Sequence, residues 1–192
     1  MKRIVLLISF VAAVALCAGA QVFIDFHDMP IATTPTLMPD LYPSGMNMLW
    51  DSFYYVTPGM WSEAGPGFWV DPATQHNSVA FFGGPMCALS VPCSGSIKES
   101  QIVMTPRNRT FIPVGMIASS GWADNEVTVL AYNNSRLVGK LVWKLTTERQ
   151  RFYFPAAWNV TQLVFTPGFI NANTTNPKPG SMVIYDFAIM AH

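Results

Sequence analysis

Short apolar runs separated by turn-forming residues constrain the fold of this chain more than any other feature of its sequence. Beyond residue 20, aromatic and β-branched runs alternate with Pro, Gly, Asn and Asp, and the chain contains 15 prolines. Prolines at this density disfavour long helices. About ten short strands, with turns roughly every 8–12 residues, are typical of an antiparallel sandwich or barrel. The pattern therefore predicts an all-β fold, a single antiparallel β-sandwich.

The clearest strand signal lies near the middle of the chain. Within residues 137–145, the leucines and Trp143 lie at odd-numbered positions, whereas Lys140 and Lys144 lie at even-numbered positions. This alternation is typical of a half-buried strand. Two more long strands are expected at Met48–Val56 and Phe111–Ser119. Asn133-Asn134, just before the alternating run, predicts a two-residue hairpin turn, because Asn tolerates a positive φ.

The N-terminus has the three parts of a secretory signal peptide. Met1-Lys2-Arg3 is basic, an apolar run extends from Ile4 to Cys17, and Ala18-Gly19-Ala20 supplies small residues for cleavage. The run is too short to cross a bilayer as a helix. We therefore expect cleavage after residue 20 and a secreted, extracellular β-sandwich domain at residues 21–192, without a membrane span.

Charge and sequons indicate a glycoprotein. Only 11% of the residues are charged, with 11 basic and 11 acidic side chains. No basic patch could track phosphates, so a nucleic-acid partner is not expected. Four Asn-x-Ser/Thr sequons predict surface glycans, which would add solubility: Asn108, Asn133, Asn159 and Asn173.

Two cysteines remain after the predicted cleavage, Cys87 and Cys93. An even number in an oxidising compartment predicts one disulfide bond. So small a loop is stabilised by only about 2–2.5 kcal/mol in the chain-entropy account. The bridge would staple the structure locally.

No catalytic motif is present. The sequence has no G-x-S-x-G nucleophile elbow and no H-E-x-x-H zinc motif. Glycoside hydrolysis needs two facing carboxylates, and no acidic pair stands in a recognisable motif. We assign no catalytic residue and expect a protein that is not an enzyme.

Acidic residues near both ends of the predicted domain suggest a metal site. If the first and last strands pair, Asp25 and Asp28 approach Asp186. Carboxylate oxygens suit Ca²⁺, which takes 6–8 oxygen ligands. A structural Ca²⁺ is one hypothesis, and solvent-facing carboxylates are the other.

An irregular aromatic segment, "MWSEAGPGFWVDP" at residues 60–72, is the candidate ligand site. Its glycines and proline keep the backbone off a regular strand, so its rings are free to stack on a sugar face while neighbouring polar groups bind hydroxyls. The alternative is a hydrophobic plug over the core. We favour a platform role for Trp61 and burial for Trp69. The candidate residues are Trp61, Glu63, Phe68, Trp69, Asp71, His76 and Trp122.

Several short elements resemble a diffuse family of secreted β-sandwich domains. They are "VFIDFHD" at 22–28, Gly45 to Phe53, "NSVAFF" at 77–82, "VTVLAY" after Trp122, "QLVFTP" at 162–167 and "YDFAIM" at 185–190. Such domains occur in bacterial surface proteins with PEP-CTERM sorting tails and in fungal and oomycete secreted proteins. The resemblance implies a galactose-binding-like jelly roll and leaves the function open.

Together these observations favour a secreted, non-catalytic glycoprotein that acts as a lectin-like module. Its expected partner is an extracellular glycan or another component of a cell surface or wall. One alternative is a structural surface-coat protein whose sheet faces mediate assembly, and another is a glycan-active hydrolase. Retention on glycans would separate the first two readings, and chromogenic substrates would test the third.

Overall fold

The computed structural model describes residues 20–62, 64–70, 78–83, 99–106, 109–170 and 178–191. Some of the sequence predictions lie outside these ranges and stay predictions. They concern residues 1–19 of the signal peptide, Glu63, Asp71 and His76 of the aromatic segment, the Cys87–Cys93 bridge, and the sequons at Asn108 and Asn173.

The described residues are almost entirely strands and turns. One 3-10 helical turn is present at Pro58–Met60. The strands are β1 (Gln21–Ile24), β2 (Thr36–Leu37), β3 (Met48–Asp51), β4 (Tyr54–Val56), β5 (Val79–Gly83), β6 (Ser100–Met104), β7 (Phe111–Ser119), β8 (Asn125–Asn133), β9 (Arg136–Leu145), β10 (Gln150–Tyr153), β11 (Gln162–Pro167), β12 (Phe169–Ile170), β13 (Lys178–Pro179) and β14 (Ser181–Ala191).

Two antiparallel sheets form a sandwich, which confirms the predicted fold class. One sheet has seven strands in the order β10-β7-β14-β5-β4-β2, with β1 beside β14, and the other has five in the order β3-β6-β11-β8-β9. Consecutive strands repeatedly change sheets, as they do in jelly rolls. In the part of the chain that the structure describes, no helix has the length and hydropathy to cross a bilayer.

The core between the sheets is rich in aromatic rings. Phe53 lies at its centre and contacts Phe82 and Phe165 at centroid distances of 5.1 and 6.0 Å. Trp50 packs edge-on against Phe53 and donates its indole N–H to the Tyr42 carbonyl at 2.8 Å. Edge-to-face pairs add about 0.5–1.5 kcal/mol each beyond burial, so this cluster holds the two sheets together.

The predicted strand Met48–Val56 is wrong as one element. It forms β3 in the five-stranded sheet and β4 in the seven-stranded sheet. The chain turns between them at Ser52, which has a φ of 63°. Both halves are apolar because both face the same core, so periodicity could not show the corner.

The hairpin between β8 and β9 has a two-residue turn, as predicted, but one position later in the chain. Asn133 pairs with Arg136, and the turn residues are Asn134 and Ser135 with φ values of 48° and 69°. The predicted alternation holds at the end of β9, where Trp143 and Leu145 are buried and Lys144 between them is exposed.

Candidate functional site

The outer face of the seven-stranded sheet is divided into a covered half and an open half. Residues 57–62 and 64–70, which we call the cap, cover the half formed by β4, β5 and the first part of β14. The open half is formed by β1, the second part of β14, β7 and β10.

The cap buries the aromatic rings that the sequence analysis assigned to a ligand platform. Trp61 is only 6% exposed and stacks on Phe81 of β5, with ring centroids 5.8 Å apart. Phe68 is also buried, 5.2 Å from Trp61 and 4.9 Å from the half-buried Trp122. The platform role predicted for Trp61 and Phe68 is therefore wrong, because their faces are already packed against protein.

Polar contacts fix the backbone of the cap against the sheet. The Gly67 carbonyl accepts hydrogen bonds from Ser119 Oγ, at 2.6 Å, and from the Tyr185 hydroxyl. Burial raises the pKa of Tyr185 and keeps this hydroxyl protonated. A Cβ atom at position 67 would lie 1.6 Å from the Ser120 carbonyl oxygen. Only glycine allows this approach.

Trp69 also differs from its prediction. It was expected to be buried, but it is 41% exposed. Its indole N–H donates to the Thr147 carbonyl at 2.8 Å, and its backbone N–H donates to the Tyr185 hydroxyl at 3.0 Å. Trp69 thus tethers the end of the cap to the connection between β9 and β10.

The open half of the face forms a groove with a volume of about 230 Å³. Its lining combines exposed rings, small or aliphatic floor residues, and charged groups at one end. The lining residues are Gln21, Phe23, Val114, Gly115, Met116, Ile117, Arg151, Tyr153, Asp186 and Ala188.

Four lining residues form one row across the four strands. Phe23 pairs with Ala188, Ala188 with Gly115, and Gly115 with Tyr153. Three strand spacings separate the two aromatic residues, or about 14 Å between backbones. The rings therefore stand as two walls above a floor of the smallest side chains.

The aromatic walls are open to solvent. Phe23 and Tyr153 are each 66% exposed, the highest values among large apolar side chains in the described residues. Gly115 makes room beside Tyr153, because a Cβ there would lie 3.5 Å from Tyr153 Cδ1 and 3.0 Å from the Phe152 carbonyl. Two exposed aromatic rings on opposite sides of one groove indicate a binding surface.

The next row along the groove carries charge. Asp186 pairs with Ile117, which pairs with Arg151. Burial raises the pKa of Asp186, and Arg149 and Arg151 partly offset this effect. The Arg149 guanidinium lies 4.6 Å from the centre of the Tyr185 ring, a cation–π arrangement.

A β-bulge marks the boundary between the two halves. Ile184 pairs with Ala118 and Asp186 with Ile117, so Tyr185 is the extra residue on β14. Tyr185 belongs to the cluster under the cap, and Asp186 lines the groove. The bulge thus places two consecutive side chains on the outer face, one in each half.

The predicted Ca²⁺ ligands do not converge. The first and last strands do lie side by side, with Ile24 opposite Phe187. However, Asp28 accepts the Tyr42 hydroxyl, and Asp25 contacts the His27 ring. Among the described residues, no group of three His, Cys, Asp or Glu side chains could hold a metal ion. The three-aspartate site is therefore wrong, because two of its members are held by other partners.

Sequence reasoning missed Phe23, Arg151 and Tyr153, although a signal was present. Phe23 shares its strand parity with Gln21, and Tyr153 shares its parity with Arg151, whereas the intervening residues face the core. An aromatic residue on the polar side of an alternating strand indicates an exposed ring.

No family model and no curated protein matches the chain. Matching solved structures include a family two carbohydrate esterase from Cellvibrio japonicus, with a TM-score of 0.40 and 8% identity over 91% of this chain and 34% of the esterase. Another is the enzymatically active domain of bacteriophage CBA120 tailspike protein 4, with a TM-score of 0.36 and 9% identity over 74% of this chain and 19% of that one.

A CBM4 structure matches with a TM-score of 0.32 and 14% identity, over 90% of this chain and 86% of that one. The chain spans about a third and a fifth of the length of the first two structures. Likeness at these TM-scores carries no argument about function.

Proposed function

We propose that the protein is a secreted, non-catalytic carbohydrate-binding module and that its groove holds the glycan. One observation carries this proposal: the two most exposed large apolar side chains of the described residues, Phe23 and Tyr153, are the two walls of the same groove. Both residues also lie in one row across the four strands, with Ala188 and Gly115 between them.

The chemistry of the groove suits a sugar. Sugar rings have apolar C–H faces that stack on aromatic side chains, and hydroxyls at their edges that need hydrogen-bond partners. Phe23 and Tyr153 supply ring faces. Asp186 accepts hydrogen bonds, Arg151 donates them, and Gln21 does both. A purely apolar ligand would leave these polar groups without partners.

The composition of the groove favours binding over hydrolysis. Hydrolysis of a glycosidic bond ordinarily requires two carboxyl groups on opposite sides of that bond. The lining residues include one carboxylate, Asp186. Incubation with oligosaccharides followed by product analysis is expected to recover them intact.

Assembly through sheet edges is the weaker alternative. β9 is an edge strand and exposes Leu137 and Val142, which would favour pairing with another copy. The same strand also exposes Lys140 and Lys144. Charged side chains on an edge oppose strand-to-strand association.

An extracellular location fits this role. The predicted signal peptide directs export, and the sequon residues Asn133 and Asn159 lie at the surface, where the Asn133 amide donates to the Asn159 carbonyl at 2.9 Å. Glycosylation at either residue and the Cys87–Cys93 bridge remain parts of this proposal.

The test compares groove variants with exposed variants elsewhere. We expect Phe23→Ala and Tyr153→Ala to weaken retention on immobilised neutral polysaccharides by at least about tenfold, or about 1.4 kcal/mol. Their unfolding free energy should change by no more than about 0.5 kcal/mol, because both rings are at the surface. Affinity electrophoresis and urea denaturation would measure the two effects.

Two controls make the comparison specific. Leu37→Ala removes an equally exposed apolar side chain at the opposite edge of the same sheet, and Trp69→Ala removes an exposed ring outside the groove lining. Both should retain binding. Loss of binding in Trp69→Ala alone would move the site to the cap, and full retention in both groove variants would overturn the proposal.

A further inference from the structure

We infer that the groove binds the end of a neutral glycan chain rather than its interior. This inference rests on the proposed function and adds a specificity to it. Its basis is the way the groove stops at the cap.

The groove is closed at one end by the cap. β7 and β14 continue past the groove, but their outer face beyond Ile117 and Asp186 is occupied by the cluster under the cap. Ile117 contacts that cluster and also lines the groove. A chain lying along the strands therefore cannot run through, because Tyr185 and the cap above it stand in its path.

The closed end is fixed rather than loosely covered. The Tyr185 hydroxyl bonds to the Gly67 carbonyl, and the Trp69 indole ties the cap to Thr147. The Arg149 guanidinium lies on the Tyr185 ring. Opening this end would break these hydrogen bonds and expose the buried Trp61 and Phe68 rings, so the block persists in the native state.

The charges at the closed end define the chemistry of the terminal residue. One carboxylate, Asp186, and one guanidinium, Arg151, line the groove in the same row across the strands, so their formal charges balance. The Asp186 carboxylate accepts a hydrogen bond from one hydroxyl of the sugar, and the Arg151 guanidinium donates a hydrogen bond to another. A uronic acid would add a second negative charge next to Asp186, whereas a neutral residue with free hydroxyls satisfies both groups and keeps the charges balanced.

The two rows lie in the right order for a chain end. The charged row is two residues, or about 7 Å, nearer to the cap than the row of Phe23 and Tyr153. The terminal residue meets hydrogen-bonding groups, and the part of the chain behind it passes between the aromatic walls.

Chain-length dependence tests this inference. Length ladders of linear cello-, xylo-, manno-, laminari- and malto-oligosaccharides would be titrated by calorimetry at equal molar concentrations of chain. For the ladder that binds, we expect one protein per chain at every length, and an affinity that changes less than about twofold once the groove is filled.

Internal binding gives the opposite result. The number of proteins bound per chain would rise with length, which would overturn end recognition while leaving carbohydrate binding intact. Absence of binding to every ladder would overturn both proposals.

A charge variant adds a second measurement. We expect Arg151→Ala to weaken every binding oligosaccharide by about tenfold, since it removes donors to the terminal residue. Arg136→Ala, at an exposed arginine of β9 in the other sheet, should leave affinity unchanged. Equal affinity in both variants would contradict the role of the charged row.

Discussion

The two halves of the outer face of the seven-stranded sheet use the same strands for different purposes. Under the cap, β14 presents Val183 and Tyr185, which pack against Trp61 and Phe68. Past the bulge, Asp186 and Ala188 of the same strand line the open groove. The covered half contributes buried aromatic contacts to stability, and the open half is the surface that we propose for glycan binding.

The difference shows that burial of an aromatic ring depends on whether another segment packs over it, and not on whether the ring lies on a strand or on an irregular segment. Trp61 lies on an irregular segment rich in glycine and proline, yet it is buried because that segment folds onto the sheet. Phe23 and Tyr153 lie on regular strands, yet they are the most exposed of the described large apolar side chains because nothing covers them.

The largest loss of stability is expected from a substitution at Trp61, in the covered half. Trp61→Ala removes a ring that contacts Phe68, Phe81 and Trp122, and should lower the unfolding free energy by about 3–5 kcal/mol, as for other buried large aromatics. Urea denaturation measures this loss.

Trp69→Ala is the matched control for that measurement. Trp69 lies on the same segment but is exposed and contributes two hydrogen bonds, of which the backbone bond survives the substitution. Its cost should be about 1 kcal/mol. Equal costs at both tryptophans would mean that the cap does not bury Trp61 in solution.

A smaller effect is expected at Asp186 in the open half. Burial raises the pKa of Asp186 in the folded protein, so the folded state binds its proton more tightly than the unfolded state does. Stability from this group is present below the ordinary pKa of aspartate and is lost as pH rises through the raised pKa. Asp186→Asn should therefore be stabilised relative to the parent protein at pH 7.

The pH dependence of the stability difference between Asp186→Asn and the parent protein distinguishes the titration of Asp186 from other causes. The gain from Asp186→Asn should shrink as pH falls below about 4, where the carboxyl is protonated in both states. Urea denaturation of both proteins from pH 3.5 to 7 would measure it. A constant difference across that range would show that the substitution acts through packing or hydrogen bonding.

The smallest effect is expected at His27, which is exposed next to the open half. A hydrogen bond to Asp25, together with the negative charge of that residue, raises the pKa of His27 above its usual value. Stability from this pair is present below the ordinary histidine pKa and fades as pH rises through the raised pKa.

A proton NMR titration would measure the His27 ring directly. In the parent protein, its pKa should lie above about 6.5. In Asp25→Asn it should fall towards that value, while the unfolding free energy changes little, since both side chains are exposed. An unchanged pKa in Asp25→Asn would assign the shift to Asp28.

The strand pattern could be predicted from the sequence because alternation and turn residues are local. The predicted strand Phe111–Ser119 coincides with β7, and the alternation near Trp143 was read correctly. The corner at Ser52 was not predictable in the same way, since Met48–Val56 is apolar on both sides of it and both sides face one core.

Only part of the candidate site could be predicted. The pairing of the first and last strands, on which the Ca²⁺ hypothesis depended, is present in the structure. The parity of Phe23 and Tyr153 is that of outward-facing residues, a signal that the sequence analysis missed. Their position in one row was not predictable, because β1 and β10 are separated by more than 120 residues and meet only through β14 and β7.

The sequence by itself determined the all-β class, the positions of most strands and which residues of an alternating strand face outward. These properties depend on neighbouring residues, through backbone preferences and the two-residue strand period. The tertiary structure alone decided that the cap covers one half of a sheet face, that the bulge at Tyr185 divides the halves, and that two distant aromatic residues form one groove. Those outcomes depend on contacts between segments far apart in the chain, and no local pattern carries that information.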